Sequence, residues 1–72
     1  MIKISMVGDE YEVIVSRPGG SWRSPAPMTA SEVLEKLSQM GCHSTDIADA
    51  LYAADLGWGK RHDEEVARRR LH

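Results

Sequence analysis

The chain has 72 residues, with nine Lys or Arg and eleven Asp or Glu, which gives a formal net charge of −2. This length allows one small domain, and the single cysteine excludes an internal disulfide bond. No apolar stretch approaches the roughly 20 residues of a membrane-spanning helix, and no signal-peptide pattern is present. We therefore expect a soluble, cytoplasmic protein that does not contact membranes.

The charge is unevenly distributed along the chain. Residues 1–56 contain four basic and eight acidic residues, a net charge of −4, whereas residues 57–72 contain five basic and three acidic residues, a net charge of +2. The sequence therefore predicts an acidic body and a basic C-terminal tail.

Apolar and polar residues alternate over residues 2–7 and again over residues 10–16, which is the pattern of half-buried β-strands. Gly8-Asp9 between them fits a two-residue type II′ turn with glycine first. This turn fixes the register of an antiparallel hairpin and brings apolar residues opposite one another. The predicted apolar pairs are Met6 with Tyr11, Ile4 with Val13 and Ile2 with Val15.

A second turn follows in the sequence Arg17-Pro18-Gly19-Gly20, where Pro18 fixes the first corner position and Gly19 allows positive φ at the second. If the chain reverses here, residues 21–24 form a short third strand and Trp22 falls opposite Val15. The alternative is that Trp22 lies in a loop at the edge of the core.

Two amphipathic helices are predicted after an extended Pro25–Pro27 connector. Thr29 and Glu32 have the spacing of a capping box at the start of the first helix. Gly41 ends this helix in the left-handed conformation. The second helix starts at Ser44 or Thr45. The apolar stripes of the two helices are Ala30, Val33, Leu34, Leu37 and Met40 in the first, and Ile47, Ala50, Leu51 and Ala54 in the second.

The predicted fold class is α+β: an N-terminal antiparallel β-hairpin or three-stranded meander packed on a two-helix hairpin, with a short C-terminal helix. We expect residues 1–59 to form one domain and residues 60–72 a basic helical tail. In this tail, residues 59–62 are a flexible joint and Asp63 caps a helix that reaches Leu71. The predicted core consists of Ile2, Ile4, Met6, Tyr11, Val13, Val15, Val33, Leu34, Leu37, Met40, Ile47, Leu51 and Trp58.

The sequence carries no convincing catalytic or metal-binding pattern. Cys42 and His43 are adjacent, but no third group is positioned to orient them as a nucleophile and base. Their spacing to Asp46 and His62 matches no established zinc pattern. We therefore predict a non-enzymatic protein without catalytic residues, bound metal or cofactor.

Our first functional hypothesis is a protein-binding module that regulates or inhibits a larger protein, with proteins that handle nucleic acid among the candidate partners. The acidic residues that leave the helical stripes would dock on a basic surface of that partner, because complementary charge speeds association and selects the partner. Trp22 and Tyr52 are either core or interface residues, since tryptophan and tyrosine are enriched at binding hot spots. The predicted protein-binding residues are Glu32, Glu35, Asp46, Asp49, Tyr52, Asp55 and Trp22. A homodimer through Val7 and Ile14 on the outer face of the sheet is a further hypothesis.

Gly41, followed by Asp46-Ile47-Ala48 and Leu51, resembles a helix-turn-helix pattern in which glycine is followed by Glu-Ile-Ala and leucine. The resemblance covers about 15 residues and implies nucleic-acid binding. It departs from the family because acids, Asp63-Glu64-Glu65, begin the only later candidate helix. The nucleic-acid-binding residues under this alternative are Lys60, Arg61, Arg68, Arg69 and Arg70.

Overall fold

The computed structural model of the protein describes residues 1–70. It has an α+β fold in which an antiparallel sheet of order β1-β2-β3 is followed by three helices. The elements are β1 (Ile2–Val7), β2 (Glu10–Arg17), β3 (Gly20–Arg23), α1 (Ala30–Gln39), α2 (Ser44–Ala54) and α3 (Trp58–Arg70). The predicted fold class is therefore confirmed, and the sheet is the three-stranded form. None of the helices in the described part of the chain is long and apolar enough to cross a membrane.

The register of the first hairpin is the one predicted from its apolar alternation. Met6 lies opposite Tyr11, and the pairs Ile4–Val13 and Ile2–Val15 follow along the ladder. Gly8 has φ +63°, a value that favours glycine in the first turn position. The apolar face points at the helices, whereas Val7 is exposed and Ile14 half-buried. A homodimer through these two outer residues stays a prediction.

The second turn differs from the prediction at one residue. Arg17 pairs with Gly20 across Pro18-Gly19, and the positive φ, +138°, belongs to Gly20 and not to Gly19. Trp22 lies opposite Val15 as predicted. The third strand therefore starts at Gly20, one residue earlier than predicted, and ends at Arg23 because the chain bulges away from β2 at Pro25.

The connector between β3 and α1 stays bound to β2. The Ser24 N–H donates to the Val13 carbonyl (2.9 Å), and the buried Ser24 hydroxyl accepts from the Val13 N–H (3.0 Å). Beyond the proline bulge, Met28 and Tyr11 exchange two backbone hydrogen bonds of 2.8 Å. A side chain thus satisfies the backbone donor that the bulge would otherwise leave unpaired.

We expect Ser24→Ala to destabilise the fold by about 1–3 kcal/mol, because the buried Val13 N–H loses its acceptor. The free energy of unfolding in urea measures this loss. Ser21→Ala, at an exposed position of β3, is the matched control and should change stability by less than about 0.5 kcal/mol. Equal stability of the two variants would contradict the role assigned to Ser24.

Local signals define both ends of α1. Thr29 and Glu32 form the predicted capping box. At the other end Gly41 has φ +86°, its N–H donates to the Ser38 carbonyl, and the Cys42 N–H donates to the Leu37 carbonyl. These two bonds are the Schellman pattern that glycine permits after a helix. The helix therefore ends where the sequence predicted, and Ser44 begins α2 four residues after Met40.

The predicted flexible joint and the predicted start of the last helix are wrong. Residues 59–62 lie inside α3, which begins at Trp58, so Asp63 is an interior residue of the helix and not its cap. The Gly57 carbonyl accepts a hydrogen bond from the Arg61 N–H, and this bond lies at the start of the helix. The predicted end at Leu71 lies outside the described residues.

The core lies between the sheet and α1 and α2. Every predicted core residue is buried or packs against the buried cluster. Ala30 is also buried, and Trp22, Met28 and Cys42 pack on the cluster from its edge. The sequence left open whether Trp22 and Tyr52 are core or interface residues. In the structure Trp22 is half-buried, whereas Tyr52 is exposed.

Candidate protein-binding surface

One side of α2 faces solvent and combines acidic with apolar side chains. Asp46, Asp49 and Tyr52 follow at three-residue steps, while Ile47 and Leu51 on the opposite side are buried. Tyr52 is 55% exposed, and Leu56, in the turn after the helix, is 78% exposed. We call Asp46, Asp49, Tyr52 and Leu56 the α2 docking face.

A cleft of about 700 Å³ adjoins this face at the corner between α1 and α2. Ile2, Val15 and Met40 contribute apolar surface to it, and Asp46 and Asp49 line it from α2. We call this the corner cleft. Its volume is in the range of ligand and side-chain binding sites, and two of its acids also belong to the α2 docking face. The two features are therefore continuous.

The corner cleft also carries positive groups. Arg17 lines it from the end of β2 and donates a hydrogen bond to the Met40 carbonyl. This bond ties the end of the sheet to the end of α1. Cys42 and His43 line the cleft as well, with Cys42 half-buried and His43 exposed. Within residues 1–70 no group of three or more His, Cys, Asp or Glu side chains is placed to hold a metal ion.

Glu32 and Glu35 lie in a different place from the acids of α2. They line a shallow groove together with Met28 and Lys36. The Glu32 carboxylate accepts from the Thr29 N–H at 3.0 Å, so one of its oxygens serves the helix cap. The predicted acidic residues therefore form two groups, and the structure places the larger apolar exposure beside Asp46 and Asp49.

Trp22 lines a neighbouring groove of about 340 Å³ with Pro25, Pro27, Glu32 and Lys36. The Lys36 ammonium lies 5.6 Å from the centre of the Trp22 ring. A cation at this distance over an indole is attracted by about 0.5–1 kcal/mol at an exposed site. The face of Trp22 is thus already covered by a side chain of the same molecule, which makes it a poorer anchor than Tyr52.

Asp55, predicted as a docking residue, is engaged inside the molecule. Its carboxylate accepts from the Tyr11 hydroxyl (2.7 Å), from the Arg61 Nε (2.9 Å) and from the Gly57 N–H (3.0 Å). Its side chain is only 9% exposed. We therefore leave Asp55 out of the α2 docking face. Sequence reasoning missed this role because Tyr11 lies 44 residues away and no local pattern joins them.

These contacts change the acidity of both partners. The Tyr11 hydroxyl is the largest cause that lowers the pKa of Asp55; burial opposes it, and the Gly57 N–H and Arg61 add to the lowering. Burial, followed by the hydrogen bond to Asp55, raises the pKa of Tyr11 to about 12. The contact therefore stabilises a neutral tyrosine and an ionised aspartate.

The predicted basic residues do not form one continuous patch. Arg61 is bound by Asp55 and by Asp9, each at 2.9 Å, and Arg69 lies 3.3 Å from Glu65. In the described part of the chain Lys60, Arg68 and Arg70 form no ion pair and are exposed.

Comparison with known proteins adds no family to this description. No protein-family model matches the chain, and neither a curated protein nor a solved structure is significantly similar to it. The functional argument therefore depends on the surfaces described above.

Proposed function

We propose that this protein is a non-enzymatic protein-binding module, a small regulator or inhibitor that docks on a larger protein through the α2 docking face and the corner cleft. The observation that carries the proposal is the exposure of Tyr52 on the side of α2 that carries Asp46 and Asp49, together with the exposure of Leu56 in the turn after this helix. Large apolar side chains at the surface are unexceptional singly. Here the side of α2 that exposes Tyr52 also carries Asp46 and Asp49, and these two acids line the corner cleft. Apolar and charged groups thus occur together, as they do in an apolar interface centre with a polar rim.

The proposed partner presents basic side chains around an apolar residue. Asp46 and Asp49 would attract the basic groups at long range and raise the association rate. Tyr52 and Leu56 would supply most of the binding free energy, since buried aromatic anchors dominate interfaces. The corner cleft would accept the partner's apolar side chain.

The test starts with capture of a partner by the tagged chain from lysate, in nuclease-treated and untreated halves. The association rate of the captured protein is then measured for variants. We expect Asp46→Lys/Asp49→Lys to slow association about tenfold at low salt, and Tyr52→Ala to weaken binding about tenfold or more. All three positions are exposed, so the melting temperature should stay within a few degrees of wild type.

The matched control is Glu10→Lys/Glu12→Lys, which makes the same change of charge on the outer face of β2. This variant should associate much faster than Asp46→Lys/Asp49→Lys. If both charge-reversal variants slow association equally, the effect comes from net charge alone and the α2 docking face is not the site.

A second candidate function is nucleic-acid binding through α2 and α3. One observation favours it: three residues separate the end of α2 at Ala54 from the start of α3 at Trp58, and one of them is Gly57. This is the connection of a helix-turn-helix. The first turn of α3 also carries no acid, and its last turn carries Arg68, Arg69 and Arg70. The acids Asp63-Glu64-Glu65 therefore do not begin the last helix, and their position at its start was the point where the sequence departed from the helix-turn-helix family.

The second candidate is the weaker one because Asp63 and Glu64 are exposed in the middle of α3, where they would face phosphates. The capture experiment separates the two functions. Loss of the captured material on nuclease treatment would support nucleic-acid binding. If Arg68→Gln/Arg70→Gln also weakened that binding and reduced its salt dependence, nucleic-acid binding would replace the protein-binding proposal.

A further inference from the structure

The last helix is attached to the rest of the molecule in a different way from the first two. Leu37 of α1 and Leu51 of α2 have no exposed surface, whereas α3 has no buried residue over its 13 positions. Trp58 is the one residue of α3 that packs against the core cluster, and it is only half-buried. Apolar burial therefore contributes less to holding α3 in place than it does for α1 and α2.

The first attachment of α3 is ionic and lies at its N-terminal end. The Arg61 guanidinium bridges Asp55, at the end of α2, and Asp9, in the turn between β1 and β2. Tyr11 of β2 donates to the same Asp55 carboxylate. The charged or titratable groups facing Asp55 are thus Tyr11, Arg61 and, through Arg61, Asp9. Neutralising Asp55 removes the less exposed of the two carboxylate charges that hold Arg61 and leaves only the ion pair with the exposed Asp9.

The second attachment joins α3 to the start of α1 and is also polar. The His62 Nδ1 lies 3.2 Å from the Ser31 hydroxyl, and the His62 and Trp58 rings are 6.2 Å apart. Glu65 approaches the same helix end. Burial raises the pKa of Glu65, but contacts with Ser31, Thr29 and Arg69 outweigh it and hold that pKa below its ordinary value. An ionised Glu65 is favoured there by the positive end of α1.

A cavity of about 220 Å³ lies between part of α3 and the body. Buried Tyr11 and Ala30 line its body side, and Arg61 and Arg68 line its α3 side. Asp9, Glu10 and Glu65 complete its charged lining. Movement of α3 would therefore uncover apolar surface at Tyr11 and Ala30, and would free Arg61 from two carboxylates.

We propose that α3 is a releasable latch, a helix that opens as a unit from a folded body of three strands and two helices when its ion pair with Asp55 is neutralised or screened. A segment with few buried apolar contacts opens at a lower free energy than the core. Opening frees Arg61 from both carboxylates and so, among the described residues, adds a fourth unpaired cation to the exposed Lys60, Arg68 and Arg70 of α3. The closed and open forms differ in which charges they offer to a partner.

The test is amide hydrogen exchange of the full chain at pH 7, comparing wild type with Asp55→Asn. Asparagine keeps the shape and can still accept from Tyr11, so the variant imitates a protonated aspartate. A detached helix of 13 residues is only marginally stable in water, so opening exposes the α3 amides to exchange. We therefore expect residues 62–70 to exchange about tenfold faster in Asp55→Asn, while the core amides of β2 and α1 change by less than about twofold. High salt should accelerate the same amides in wild type, because the Arg61 side chain is partly exposed.

Asp49→Asn removes the same charge from an exposed position of α2 and should leave α3 exchange unchanged. Arg61→Gln breaks the ion pair but retains the Tyr11–Asp55 hydrogen bond, so it decides the question if Asp55→Asn does not fold. Equal acceleration of α3 and core amides would overturn the latch, since α3 would then unfold only with the whole domain. Unaltered α3 exchange in Arg61→Gln would also overturn it.

Discussion

Replacing Leu37 with alanine should unfold a large fraction of the protein at 37 °C. Leu37 has no exposed surface and packs among residues of the sheet and of α2. Leu→Ala changes at such positions cost about 2–5 kcal/mol, because transfer free energy is lost and a cavity remains. A domain of this size stands near the low end of the usual 5–15 kcal/mol of stability. Urea and thermal unfolding, followed by circular dichroism, would measure the loss.

Leu56→Ala is the matched control, because Leu56 is 78% exposed. It removes the same atoms but should change the free energy of unfolding by less than about 0.5 kcal/mol. Leu51→Ala should behave like Leu37→Ala, since Leu51 is equally buried from the second helix. A Leu37→Ala protein with the melting temperature of wild type would mean that α1 does not pack with the face described here.

Removing the Tyr11 hydroxyl should have the second largest effect. In Tyr11→Phe the Asp55 carboxylate loses the hydrogen bond of 2.7 Å, and a bond to a charged acceptor contributes about 1.5–3 kcal/mol. The free energy of unfolding at pH 7 should fall by that amount. Tyr52→Phe, which alters the other, exposed tyrosine, should leave stability within about 0.5 kcal/mol of wild type.

The effect of Tyr11→Phe should depend on pH in a defined direction. The pKa of Tyr11 is raised from 10.0 to about 12 in the folded protein, so its contribution to stability is complete below about pH 10 and is lost as pH rises towards 12. Asp55 acts at the other end of the scale. Its folded pKa is lowered, so its contribution is present above about pH 4 and is lost as pH falls further.

Two measurements check this dependence. The difference in urea midpoint between wild type and Tyr11→Phe should shrink between pH 10 and 12. Ultraviolet titration of Tyr52→Phe, which retains Tyr11 as its only tyrosine, should give a midpoint near pH 12. A midpoint near 10 would contradict the buried contact with Asp55.

Short-range patterns in the sequence were sufficient for most of the fold. The register of the first hairpin follows from Gly8 and from the alternation of apolar residues, because a shift by one residue would turn the apolar face of the sheet to solvent. The limits of α1 follow from Thr29, Glu32 and Gly41, which bond to backbone groups within the same segment. Each of these signals acts over a few residues and can be recognised without knowledge of the rest of the chain.

The candidate site was predicted less completely, because local signals do not show which elements meet in the folded chain. The sequence indicated Asp46, Asp49 and Tyr52 as surface residues of a helix, since apolar residues at helical spacing define the opposite face. It did not indicate that Asp46 and Asp49 line a cleft with Arg17 and Met40, or that Leu56 is exposed in the turn after α2. These relations depend on how β2, α1 and α2 meet.

The start of α3 and the role of Asp55 were decided only by the tertiary structure. The segment Gly59-Lys60-Arg61-His62 has two features of a flexible joint, a glycine and adjacent cations, and it carries no local cap. It is nevertheless helical, and distant residues hold its side chains: Asp9 and Asp55 bind Arg61, and Ser31 binds His62. Sequence by itself determined the elements whose stabilising contacts are local and apolar. The elements held by polar contacts between residues six to 52 positions apart required the folded chain, since no pattern of spacing records which charges become neighbours.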